Sequence, residues 1–182
     1  MKLSALIALL VAAMLSVGLY GVYALERAQA VNAANLRTAR DMMDAADAAR
    51  NAEVAFKVQI QEFKNVLLRG HEPKDYERYL AAFRSGDTKV GKQFQEVKQG
   101  MAKLGVPTDS VDEASRMHAQ IIGQYNQGLA QFDPTKPESS RLVDSMVRGK
   151  DRPLEQKIEL VVSTLEKFAE AEGARLAAGA VA

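Results

Sequence analysis

One segment constrains the fold of this chain more than any other, the uncharged run from Leu3 to Leu25. As a helix, it would be roughly 34 Å long, which is enough to cross a hydrocarbon core of about 30 Å. Lys2 lies on its N-terminal side, and positive charge tends to stay in the cytoplasm. We therefore expect residues 1–25 to be a single-pass membrane anchor with a cytoplasmic N-terminus, and residues 26–182 to lie outside the cytoplasm.

The same segment has a second interpretation, a cleaved signal peptide. Signal peptides also combine a basic start with an apolar core, and the Ala-Gln-Ala at 28–30 fits the usual cleavage pattern. Their apolar cores, however, run only about 7 to 15 residues. In addition, the charged residues Glu26 and Arg27 lie between the apolar run and the cleavage motif. An uncleaved anchor is therefore the main prediction, with cleavage as its alternative.

The composition of residues 26–182 excludes several classes of function. Once Lys2 is set aside, 23 basic residues balance 23 acidic ones, whereas nucleic-acid-binding domains carry a basic excess. The sequence has no cysteine, which removes disulfides, thiolate metal sites and C-x-x-C-H haem attachment. It also has no zinc-protease, phosphate-loop or nucleophile motif. We predict neither an enzyme nor a metal site, with no cofactor and no nucleic-acid partner.

Glycine and proline cluster at three places after the anchor, and they divide residues 26–182 into four segments. Each segment has the periodicity of an amphipathic helix rather than that of a strand. In the first segment the apolar positions are Phe56, Ile60, Phe63 and Leu67. Short connections make neighbouring helices antiparallel. The sequence therefore predicts an all-α fold, an up-down-up-down antiparallel four-helix bundle with helices near 26–70, 74–104, 109–132 and 138–182.

Two residues carry predictions about the backbone. Gly70 is expected to adopt the left-handed conformation that often ends a helix. Pro153 lacks an N–H group and would clash with the carbonyl of Gly149, so a bend is expected there in the fourth helix.

The two histidines are predicted to have structural rather than catalytic roles. His71 falls in a turn, where a solvated side chain is expected. His118 falls on the apolar stripe of the third helix, which favours a hydrogen-bonded histidine in the core or at its boundary. Haem binding between His118 and Met146 is rejected, because the two would lie roughly 9 Å apart in height.

Three stretches resemble the sensor region of bacterial methyl-accepting chemotaxis proteins: FKVQIQEFKNVLLRG at 56–70, the Glu-Pro-Lys turn at 72–74, and VRGKDR at 147–152. The resemblance covers essentially the whole chain. It implies a periplasmic ligand-binding bundle, anchored in the bacterial inner membrane, that acts as a homodimer in chemotactic signal transduction. Such receptors continue into a second transmembrane helix and a cytoplasmic signalling part, which these 182 residues lack. We therefore expect either a receptor fragment or a stand-alone anchored bundle.

Alternatives to a chemoreceptor module remain open. A bundle of the same shape can serve a kinase or a cyclase, or can be a stand-alone structural or chaperone-like protein. A homodimer is expected because a stalk made of residues near 26–40 and 165–182 would bury its apolar side poorly without a second subunit.

The predicted ligand site consists of basic residues on the first and fourth helices. Lys57 and Lys64 lie seven residues apart beside the apolar seam of the first helix, and Arg141 and Arg148 have the same spacing on the fourth. Similar receptors bind small anions between these helices near the distal end. We therefore predict a small carboxylate as the ligand. The alternative is a solvated face with local ion pairs, such as Glu53 with Lys57.

Overall fold

The computed structural model describes residues 3–179, except for the side chain of Ala5, and these residues form five α-helices and no strand. The helices are α1 (Leu3–Arg69), α2 (Pro73–Lys103), α3 (Asp109–Leu129), α4 (Pro137–Val147) and α5 (Arg152–Gly179). The prediction of an all-α fold is therefore confirmed for this part of the chain. Lys2, on which the predicted orientation rests, and residues 180–182 of the predicted fourth helix lie outside the described residues.

The chain packs as two units, Met1–Arg40 and Asp41–Ala182. In the first unit, the N-terminal part of α1 is long and apolar enough to cross a membrane, although a signal sequence would also fit. None of its most apolar window is buried. Leu15, Leu19 and Tyr20 are among its exposed apolar side chains, which is the state expected of a surface that contacts lipid.

The second unit has one apolar core, which includes all four apolar residues predicted for the first segment. Phe63 of α1 packs against Phe83 of α2 and Tyr125 of α3, with ring centroids 5.6 Å and 4.4 Å away. Leu154 and Ile158 of α5 are almost completely buried. Each such side chain stabilises the fold by about 1.5 to 3 kcal/mol when it leaves water.

Helices α1 and α2 run in opposite directions along their contact. Gly100 lies against Ala45, and Gly86 lies against Gln59. Residue numbers therefore rise along α1 as they fall along α2. A Cβ atom at either glycine would come within 2.7 Å of the facing side chain. The absence of a side chain at both positions therefore permits the close approach of these two helices.

Helices α4 and α5 also follow α1 in the opposite direction. Arg50 pairs with Glu166 of α5 at 2.8 Å. Nearer the end of α1, the hydroxyl of Ser140 in α4 donates a hydrogen bond to the carbonyl of Leu67 at 2.7 Å. As residue numbers rise along α1, the numbers of its partner residues in α4 and α5 therefore fall.

Helix α3 lies between α2 and α5. Lys98 of α2 pairs with Asp112 at 2.6 Å, and Lys157 of α5 pairs with Glu113 at 2.5 Å. All four side chains are at least partly exposed, so each pair adds about 1 kcal/mol or less. The buried apolar side chains of α3, including Val111, therefore contribute most of its attachment.

The prediction of a single fourth helix is wrong, because residues 148–151 separate α4 from α5. Gly149 has φ 76°, a left-handed conformation that glycine adopts without steric cost. Pro153 lies in the first turn of α5, where its missing N–H would have no helical partner in any case. The proline therefore helps to begin a helix instead of bending one.

The prediction of a left-handed Gly70 is also wrong. Among residues 3–179, only Gly105 and Gly149 have positive φ. A Cβ atom at Gly70 would clash with the carbonyl oxygen of Val66 and would lie 3.2 Å from the rings of both Phe132 and Tyr76. The backbone carbonyl of the preceding turn and the two aromatic rings together exclude a side chain at this position.

Candidate functional site

Three of the four predicted ligand residues line one groove in the second unit. Lys64 comes from α1, Arg141 from α4, and Arg148 from the position directly after α4. The groove has a volume of about 450 Å³, within the usual range for small-molecule sites. Its other lining residues are Leu67, Leu68, Ser140 and Asp144.

The two sides of the groove are held together by a hydrogen bond. The carbonyl of Leu67 lies in the last turn of α1, where carbonyls have no partner within the helix. The hydroxyl of Ser140 in α4 donates a hydrogen bond to this carbonyl. Arg141 and Asp144 of α4, and Arg148 directly after it, follow at spacings of three and four, so they share one face of this segment. This face is turned towards Lys64 and Leu68 of α1.

The charge of the groove is positive. Of the described residues that line it, Asp144 alone is acidic, and it accepts a hydrogen bond from Nε of Arg148 at 3.0 Å. Both side chains of this pair are substantially exposed, so the pair is worth about 1 kcal/mol or less. Within residues 3–179, neither Lys64 nor Arg141 has a carboxylate oxygen within 4.0 Å. The groove can therefore accept an anion without first breaking a strong ion pair.

The fourth predicted residue, Lys57, does not line this groove. Its ammonium group lies 2.6 Å from Glu53 and 3.4 Å from Glu155. The hydrogen bond that Lys57 donates to Glu53 is the largest of the effects that raise the pKa of Lys57. Lys57 lines a second cavity of about 240 Å³, and Lys64 lines this cavity as well as the groove. The carboxylates around Lys57 agree with the alternative prediction of a solvated face with local ion pairs. The surroundings of the other three basic residues agree with it less closely.

His118 is a hydrogen-bonded core residue, as predicted. Only 4% of it is exposed, and its ring lies 6.0 Å from the rings of both Phe56 and Phe94. Nε2 lies 2.8 Å from the side-chain oxygen of Gln59. Because the amide nitrogen of Gln59 donates to the carbonyl of Phe83, its oxygen is the acceptor and Nε2 of His118 carries the proton.

The second nitrogen of His118, Nδ1, faces Asp87 at 3.7 Å. Burial lowers the pKa of His118, and the charge of Asp87 partly offsets that effect. No group of three or more histidine, aspartate or glutamate side chains able to hold a metal ion occurs in the part of the chain that the structure describes. The hydrogen bonds of His118 and Gln59 make this pair a polar element of the core.

Sequence reasoning missed the polar and acidic side chains that shape the groove. Asp144 precedes Arg148 by four residues, a spacing typical of helical ion pairs, so this pair could have been predicted from the sequence. The role of Ser140 could not, because its partner is a backbone carbonyl 73 residues away. Gln59 likewise meets His118 only through the packing of α1 against α3.

Comparison of the chain with family models, with curated proteins and with solved structures found no match.

Proposed function

We propose that the chain is a membrane-anchored ligand-binding sensor module of the kind found in bacterial chemoreceptors. In this proposal, the N-terminal part of α1 spans the inner membrane and the second unit lies in the periplasm. The exposed apolar helix supports the anchor. The absence of any recognisable catalytic motif in the sequence favours a binding role over an enzymatic one.

The proposal includes an antiparallel four-helix bundle in which α4 and α5 together form the fourth member. The order of the contacts supports it, because α1 and α2 meet in opposite directions. Helices α2 and α3 do the same, since Lys98 faces Asp112 whereas Asp87 faces His118. Such bundles place ligand sites between facing helices. A groove between α1 and α4 fits that pattern.

The ligand that we propose is a small carboxylate held by Lys64, Arg141 and Arg148. The observation that carries this assignment is the meeting of three cations from two chain segments in one groove with a single acid. Hydrogen bonds between such cations and a carboxylate are charge-assisted and therefore strong. A carboxylate would also compete with Asp144 for Arg148, so binding would exchange one partner of Arg148 for another.

The break between α4 and α5 supplies a route from the ligand to the rest of the bundle. Arg148 lies directly after α4 and directly before the left-handed Gly149. A ligand that draws Arg148 towards α1 would therefore change the connection through which α4 leads into α5. The ligand can drive such a shift only as far as its binding free energies to the shifted and unshifted states differ.

A homodimer is part of the same proposal. Met43, Val54 and Val58 of α1 expose 66%, 60% and 52% of their surface. Their spacings of eleven and four residues place them on one side of the helix. A second copy of the chain in a two-fold arrangement could cover this apolar face.

The proposed ligand class is tested by a thermal-shift screen of the full chain in detergent against organic acids, amino acids and neutral solutes. Carboxylates should raise the melting temperature, because a ligand that binds only the folded state stabilises it. In Arg141→Ala the shift should largely disappear. Lys57→Ala removes an equal charge from a lysine outside the groove and should keep it. Stabilisation by neutral solutes alone would contradict the assignment.

A further inference from the structure

A second cluster of cations lies where α1 ends and α2 begins, on a side of α1 different from that of the groove. Arg69 is the last residue of α1, and Arg78 and Tyr79 lie in the second turn of α2. Arg69 follows the groove residue Leu68, but successive residues are rotated by about 100° around a helix. Its side chain contacts α2, whereas the groove lies between α1 and α4.

Both arginines bind the same phenolic oxygen. Nη1 of Arg69 donates to the hydroxyl oxygen of Tyr79 at 2.8 Å, and Nη2 of Arg78 donates to it at 2.6 Å. The guanidinium carbons lie 5.8 Å and 4.4 Å from the centre of the Tyr79 ring, within the range of cation–π attraction. Tyr79 is 8% exposed, so a buried ring fixes the position of two surface cations.

The hydrogen bonds leave one donor of Tyr79 free. A phenolic oxygen accepts two hydrogen bonds and donates one, and the two arginines already occupy its acceptor capacity. Among residues 3–179, no side chain or carbonyl accepts the Tyr79 proton within hydrogen-bond distance. The phenol therefore presents its O–H beside two guanidinium groups.

Two carboxylates lie near the cluster, Asp75 and Glu62, and the charges of both act on Arg69. Asp75 pairs with Arg78 at 3.0 Å, and it is the one carboxylate within ion-pair distance of either arginine in the described residues. Two like charges held at a single oxygen repel each other. An anion that bonds to both arginines would offset this repulsion.

We propose that Arg69, Arg78 and the O–H of Tyr79 form a second binding site, independent of the groove, for a tetrahedral oxyanion such as inorganic phosphate or a phosphomonoester. Several oxygens pointing in different directions suit donors from three side chains. Arginine is also well matched to phosphate, because its planar group can donate two parallel hydrogen bonds.

The test is a titration of inorganic phosphate, and separately of glycerol phosphate, with the full chain in a phosphate-free maltoside detergent. Line broadening in ³¹P NMR at constant ionic strength gives the affinity. Binding of either probe supports the site, and the comparison shows whether free phosphate or a monoester is preferred. Failure of both probes to bind in the millimolar range would overturn the proposal.

Variants separate a built site from general attraction to positive charge. Tyr79→Phe keeps the ring and should weaken binding about fivefold through loss of one hydrogen bond. Arg69→Gln and Arg78→Gln should each weaken it about tenfold or more, because their bonds are charge-assisted. Arg84→Gln removes an equal charge from an exposed position further along α2, and it should stay within about twofold of the native chain.

Arg141→Gln in the groove should bind phosphate as the native chain does, which distinguishes this site from the proposed carboxylate site. Circular dichroism of each variant checks that the helices are intact. Equal losses in Arg69→Gln and Arg84→Gln, or native affinity in Tyr79→Phe, would show that the cluster is not a site.

Discussion

At the scale of single residues, His118 gives the chain a pH dependence of known sign. Its imidazole is packed between Phe56 and Phe94, and burial lowers its pKa below the ordinary value despite the nearby charge of Asp87. The unfolded chain therefore binds the proton more readily than the folded one. Stability should be complete above the unfolded pKa of about 6.5 and should fall as the pH decreases below it.

This dependence can be measured by denaturant unfolding of the full chain between about pH 5.5 and 7.5, a window in which most carboxylates stay charged. The native chain should lose stability towards the acidic end. His118→Gln should show a flatter profile, since it cannot bind the proton. An unchanged slope in His118→Gln would contradict this account of the core.

Gly86 tests the close approach of α1 and α2. In Gly86→Ala the new methyl group would lie 2.6 Å from Cγ of the buried Gln59, so we expect a loss of about 1 to 3 kcal/mol in unfolding free energy. Gly91→Ala is the matched control on the same helix, where the added Cβ meets nothing within 4 Å. It should be stabilising by about 0.5 to 1 kcal/mol. Equal effects of the two substitutions would contradict the packing.

The residue-scale predictions succeeded where local sequence carries the information. The apolar neighbours of His118 at helical spacing indicated that it is buried, whereas its partner Gln59 lies 59 positions away and left no local signal. The sequence indicated that a glycine is needed at position 70, but the left-handed conformation predicted there was wrong. A side chain there is excluded by the carbonyl of Val66 and by the rings of Tyr76 and Phe132, and only the folded chain brings these two rings together.

At the scale of elements, the boundaries of α2 are close to those predicted, because glycine and proline mark both ends. The α4–α5 break was missed for an identifiable reason. The buried residues Val143, Val147, Leu154 and Ile158 keep spacings of four, seven and four across it. The apolar stripe therefore continues in phase through a turn, and periodicity alone cannot reveal the interruption.

Gly149 provides a test of that break. Its φ of 76° would cost a residue with a side chain about 1 to 2 kcal/mol, so Gly149→Ala should lower the unfolding free energy by that amount. Gly123→Ala in α3, where the added Cβ has open space, should not. Denaturant unfolding of both variants makes the comparison. A stabilised Gly149→Ala would indicate one continuous fourth helix.

At the scale of the whole molecule, composition and periodicity predicted an all-α chain with one apolar helix. The division between Arg40 and Asp41 could not be predicted. Helix α1 runs from Leu3 to Arg69, and residues 26–55 contain neither glycine nor proline to mark a boundary.

The proposed homodimer is tested by cysteine crosslinking in membranes, since the chain has no native cysteine. Met43→Cys, Val54→Cys and Val58→Cys lie on the exposed apolar face of α1 and should form disulfides between two copies. Lys89→Cys on α2 is exposed but lies outside this face, and it should remain largely monomeric. Equal crosslinking at all four positions, or none, would contradict the assigned interface.

The most direct test of the central claim, that one anion bridges α1 and α4 in the groove, is calorimetry with the best organic acid from the screen. Lys64→Ala and Arg141→Ala should each cost about 1.5 to 3 kcal/mol of binding free energy. Because both residues would hold the same carboxylate, the double variant should lose less than the sum of the two. Native affinity in both single variants would show that the groove is not the ligand site.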